Sequence, residues 1–102
     1  MGFLINYHDQ SIDSLVDLGV NGFYPLFDRS WIDEVQQTGK IKLTKKDQLR
    51  AKKIISRLSK HPHISRKKIV LRSLIKEERD IFIKTFLKMV ERRILDKKGQ
   101  IH

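Results

Sequence analysis

Phe82, Ile83, Phe86, Leu87 and Val90 recur at three- and four-residue steps. A chain carrying such an arc must bury one broad helical face, because those positions stack on one side of the helical repeat. The spacing predicts a helix over residues 76–92, with Lys84, Lys88 and Arg92 on the opposite face. At 102 residues the chain suits one compact domain with a modest core. It has no cysteine, so neither a disulfide framework nor a thiolate zinc site can hold it together, and a reducing, cytoplasmic setting is expected. Its apolar runs, such as Ile81 to Ile83 and Ile69 to Leu71, are broken by Lys or Arg far short of a membrane span. Met1 to Tyr7 is apolar but lacks the basic lead and cleavage site of a signal peptide.

Charge is segregated along the chain. Residues 1–39 carry Arg29 alone against six acids, a net of −5, while residues 40–102 carry 21 basic side chains against six acids, a net of +15. The chain therefore divides into an acidic extension suited to docking or dimerisation (1–39) and a basic domain (40–102). The basic part attracts polyanions: nucleic acid, an anionic membrane surface or an acidic protein.

Punctuation predicts the remaining elements. A short helix enters at Ser11, carries Ile12, Leu15, Val16 and Leu18 on one face, and ends at Gly19 in a Gly and Asn bend through Gly22. A second spans residues 26–37, with Phe27, Trp31 and Val35 as an apolar stripe. That stripe packs on the basic domain or, if exposed, forms a dimer or partner surface. Residues 40–43 alternate Lys with Ile or Leu, a short half-buried strand or an extended linker. Thr44 and Asp47 form a capping-box pattern opening a helix to about Lys60, with Leu49, Ile54, Ile55 and Leu58 inward, and His61 Pro62 stops it. Ser65 is placed to cap a helix over residues 66–72, with Ile69, Val70 and Leu74 inward. Ile94 Leu95, a turn at Asp96 Lys97 Lys98 Gly99, and Gln100 Ile101 His102 read as a β-hairpin.

From Leu43 onward, this order resembles the winged helix-turn-helix family. The resemblance rests on Ala51 to Ile55, Ile64 to Ile69 and Met89 to Leu95, with Arg93 standing where many members have Gly. It implies a mainly α fold of three helices and a small β-hairpin, preceded here by a helical extension. It also implies that the helix from Lys76 lies in the DNA major groove with Arg79 as base reader, while Lys97 and Lys98 at the wing tip touch the neighbouring backbone or minor groove. Arg66, Lys67 and Lys68, at the start of a helix with free backbone amides, are then phosphate contacts, as are Lys76, Lys84, Lys88 and Arg92.

The function expected is therefore nucleic-acid binding, to duplex DNA with low sequence specificity because Lys dominates, in an accessory or regulatory role in replication or transcription. A protein-interaction module without nucleic-acid contact is the alternative, and RNA or ribosome binding a second. The chain reads as a module of a larger assembly or a homodimer. Membrane contact is disfavoured because Trp31 and both Tyr lie in the acidic part. Asp9, Asp13 and Asp17 form a negative stripe that meets a basic partner, shields the basic half or is simply solvated. His61 and His63 flank Pro62 but two ligands make no metal site. No phosphate loop, nucleophile elbow or acid/base pair is found, so neither catalysis, cofactor nor small-molecule substrate is expected.

Overall fold

The computed structural model describes residues 10–37 and 42–99, with side chains described through Lys97. The regular structure of those residues is five α-helices: α1 (Ile12–Val20), α2 (Arg29–Gln37), α3 (Lys45–Ser59), α4 (Ile64–Ser73) and α5 (Lys76–Gly99). Helix α5 is the spine against which α1, α2 and α3 all pack, and α3 also touches α1 and α4. Phe82, Ile83, Phe86, Leu87 and Val90 of α5 share one core with Leu15 and Val16 of α1, Val35 of α2, and Ile54 and Leu58 of α3. Each such buried side chain contributes roughly 1.5–3 kcal/mol. The acidic and basic segments thus contribute to a common core.

Local chemistry explains most of the boundaries. The Ser11 side chain accepts a hydrogen bond from Ser14 N at the start of α1. The helix runs past Gly19 to Val20 and closes in a Schellman turn: Phe23 N donates to Leu18 O and Gly22 N to Gly19 O, with Gly22 at φ 83°. Leu26 and Phe27 sit in the turn before α2, which begins only at Arg29. Phe27 lies edge-to-face on Phe86 at 5.1 Å and on Phe82 at 5.9 Å, so it belongs to the core although it is not helical. At α3 the capping box is complete, Asp47 N donating to Thr44 Oγ1 at 3.0 Å and Thr44 N to Asp47 Oδ2 at 3.2 Å.

Helix α4 departs from the expected start. It begins at Ile64, ahead of Ser65, and the Ile64 amide donates to Gln10 Oε1, a cap delivered from 54 residues away.

The winged-helix expectation is overturned. Residues 94–99 continue α5, and no strand occurs among the described residues; Gln100, Ile101 and His102 lie outside them, as do residues 40 and 41 of the strand or linker, while Lys42 and Leu43 are irregular. The physical reason is twofold. Arg93, Ile94, Leu95, Lys97 and Lys98 tolerate a helix well, and before Gly99 only Asp96 tolerates the positive φ that a tight hairpin turn needs. Arg93 also anchors this stretch to α1, donating to Asp13 O (2.9 Å), Asp13 Oδ1 (2.6 Å) and Asp17 Oδ1 (3.0 Å). A hydrogen bond to Asp13 raises the Arg93 guanidinium above its ordinary value, with Asp17 adding to the effect and desolvation opposing it. Ile94 packs on the core edge. Without a wing, α5 is a central packing helix.

Candidate nucleic-acid interface

Residues 45–73, helices α3 and α4 with their connection, carry eleven Lys and Arg against one acid, Asp47. That carboxylate is occupied in capping α3. Helical spacing sorts the α3 cations into two stripes. Lys46, Lys53 and Arg57 lie four before, three after and seven after Arg50 and form its outer flank. Lys45 and Lys52 lie three before and four after Gln48, on the other side.

Acids elsewhere neutralise only part of this surface. Arg50 Nη1 meets Glu77 Oε1 at 3.1 Å and its Nη2 meets Glu78 Oε1 at 3.7 Å, in the first turn of α5, where acidic side chains also favour the helix dipole. The Glu77 hydrogen bond raises the Arg50 guanidinium above its ordinary value. Arg72 reaches Asp28 at 4.0 Å. Among the described residues, Lys45, Lys46, Lys52, Lys53, Arg57, Lys60 and Arg66 are exposed and form no ion pair. Coulombic repulsion within such a set is opposed only by mobile counter-ions, which a polyanion displaces.

The sequence-predicted residues fare unequally. Arg66 is exposed on α4 and Lys68 half-buried. Lys67 is only 1% exposed, and its Nζ donates to the His61 carbonyl, bridging the end of α3 to α4; it is a structural lysine that phosphate does not reach. Lys76 is exposed but held by Glu34 (3.9 Å) and Asp80 (3.6 Å). Arg79, the expected base reader, lies with its guanidinium carbon 4.4 Å from the centroid of Trp31 and its Nε buried without a hydrogen-bond partner, so it packs α2 on α5. Lys84 is half-buried, and Lys88 and Arg92 are exposed farther along α5. Lys97 is exposed on the last turn, on a helix instead of a wing, and the Lys98 side chain lies outside the described residues. Phe27 and Val35 are buried and Trp31 half-buried beneath Arg79, so the stripe expected as a partner surface faces α5.

Lys88 and Arg92 edge a groove of about 530 Å³ between the entry to α3 and the second half of α5. Half-buried Leu43, Thr85 and Met89 line its bottom, and exposed Gln48, Glu91 and Leu95 complete the rim.

Sequence reasoning passed over the α3 cations because the family pattern directs attention to the third helix. The missed signal was local: six cations in fifteen residues with one acid, which is itself a cap. Among the described residues no three His, Asp or Glu converge as a metal site, and no helix is long and apolar enough to cross a membrane. Comparison with protein-family models, curated proteins and solved structures returns no match.

Proposed function

We propose that this chain binds nucleic acid, duplex DNA before single strands, by laying the solvent face of α3 and α4 on the phosphate backbone. The observation that carries this reading is the concentration of exposed, unneutralised cations in residues 45–73, next to acids that are already paired with Arg50, Arg72, Lys76 and Arg93. Phosphate contact is non-directional toward sequence, and lysine is a point charge without the paired donors that read a base edge. Binding of this kind is salt-sensitive and weakly specific. Residues 45–73 contain no Phe, Tyr or Trp, and the rings of His61 and His63 between α3 and α4 are all the surface offers unpaired bases to stack on. An accessory or regulatory part in replication or transcription, in the cytoplasm, is the setting this chemistry suits.

The test is equilibrium binding of a short mixed-sequence duplex, the matching single strand and an RNA hairpin across a salt series. The expected result is duplex affinity that falls with a log–log slope near about −0.9 per phosphate contacted, with little change between duplex sequences. Absence of duplex binding at low salt, or a flat salt response, removes the reading.

A further inference from the structure

The groove between Leu43 and the second half of α5 does not suit nucleic acid, and it lies on the opposite flank of α3 from the Lys46, Lys53 and Arg57 stripe. Its bottom is Leu43, Met89 and Thr85, and the Thr85 hydroxyl already donates to the Ile81 carbonyl at 2.9 Å. Such a surface gives a phosphate no donor, and with no aromatic ring lining it a base has nothing to stack on. The rim has the reverse character. Lys88 and Arg92 stand on one side, and Lys45 and Lys52 share the Gln48 side of α3. Lys84 precedes Lys88 by one turn, and Glu91 is the single acid among the lining residues.

We infer that this groove takes an acidic amphipathic helix from a partner protein, its apolar stripe on Leu43, Met89 and Leu95 and its carboxylates beside Lys88, Arg92, Lys45 and Lys52. Three features select that occupant. The lining runs from Thr85 to Leu95, ten helical steps or about 15 Å, which accommodates anchors at i, i+3 or i+4, and i+7. Met89, unbranched and polarisable, adapts to Leu, Ile or Phe anchors. The cationic rim rejects a basic helix and speeds docking of an acidic one. Leu95 is 59% exposed at the rim, an apolar side chain that a docked helix covers. The inference does not rest on the nucleic-acid reading: Lys45 and Lys52 border both surfaces, but Leu43, Lys88, Met89, Arg92 and Leu95 serve the groove and Lys46, Lys53 and Arg57 the phosphate face.

The experiment titrates the isotopically labelled full chain with a capped synthetic helix of about four turns bearing leucines at i, i+4 and i+7 and flanking glutamates. Two further peptides replace the glutamates by lysine or the leucines by glutamine. Saturable binding in the range of about 1–100 µM, with shifts at Leu43, Gln48, Met89 and Leu95, is expected for the acidic amphipathic peptide alone, and each altered peptide is weaker by at least about tenfold. Lys88→Glu with Arg92→Glu weakens the peptide by about tenfold or more, whereas Lys53→Glu with Arg57→Glu leaves it unchanged within about twofold. Both pairs lie on exposed positions, and circular dichroism verifies their folding. No saturation at about 1 mM, equal binding of the lysine peptide, or shifts confined to other faces overturns the inference. Displacement of the peptide by duplex DNA with the same groove shifts reassigns the groove to nucleic acid, and a concentration-dependent dimer that buries Leu95 reassigns it to a second copy; either result also overturns it. Loss of DNA binding in Lys53→Glu with Arg57→Glu concerns the other surface alone.

Discussion

Replacing Gly19 by alanine tests how closely α1 is seated on α5. Gly19 is buried, and a β-carbon there would stand 2.7 Å from Val90 Cγ2, 3.0 Å from Tyr24 Cε1 and 3.6 Å from Phe86 Cε1. The first distance is 0.7 Å inside the 3.4 Å at which ordinary contact begins. Val90 cannot easily yield, because a β-branched side chain in a helix is confined to essentially one rotamer. Overpacking of this kind costs about 1–3 kcal/mol, and alanine returns at most about 1 kcal/mol of helix propensity so near the end of α1. Gly19→Ala is therefore expected to lose about 1–2 kcal/mol in urea unfolding, and to melt about 4–15 °C lower. Combining it with Val90→Ala removes the offending methyl, so the pair should lose less than the sum of the single changes by at least about 0.5 kcal/mol. A Gly19→Ala protein as stable as the parent would show that α1 does not approach α5 so closely. Gly22 is a contrasting case: its added β-carbon meets nothing within 4 Å, but φ is +83°. Gly22→Ala should cost about 1 kcal/mol through backbone strain alone, and Gly22→Asn less.

Other positions give sharp expectations. Arg93→Met removes three hydrogen bonds to α1, but Asp13 and Asp17 are 79% and 54% exposed, so solvent screening holds the loss to about 1 kcal/mol, with faster amide exchange in the last turns of α5. Lys67→Met leaves the half-buried His61 carbonyl without this donor and should cost about 1–3 kcal/mol in urea unfolding while leaving the salt slope of DNA binding unchanged. Burial raises the Tyr24 phenol above 10.0, so the fold favours its neutral form; stability is complete below that pH and declines as pH rises through the folded value. Tyr24→Phe should flatten that alkaline decline in unfolding experiments between pH 9 and 11, a span of about one unit either side of an ordinary phenol; an identical pH profile would show that Tyr24 is not the group responsible.

How far the sequence revealed the molecule depended on the range of the interaction. The start of α1 and the α3 capping box were legible because Ser11, Thr44 and Asp47 satisfy amides within three residues of themselves. The start of α4 was not, since its cap comes from Gln10, and neither was the continuation of α5, where Arg93 reaches aspartates 76 and 80 residues away. Ile94 Leu95 followed by a polar turn fits a hairpin as well as a helix until that long-range anchor is known. Lys67 was misjudged for a different reason: counting charges ignores register, and Lys67 falls on the stripe of Ile64, Leu71 and Leu74 that α4 turns inward. The basic character of α3 and α4 was visible as composition, but only the structure separates their exposed cations from Arg50 and Arg72, which meet acids on other elements.

The most direct measurement is the salt dependence of duplex binding in two neutralised variants compared with the parent chain. If α3 meets the phosphates, Lys53→Gln with Arg57→Gln lowers the magnitude of the log–log slope by about 1.8, two contacts at about 0.9 each, and Lys88→Gln with Arg92→Gln leaves it in place. An unchanged slope in the first variant, or the loss appearing in the second, would contradict the account.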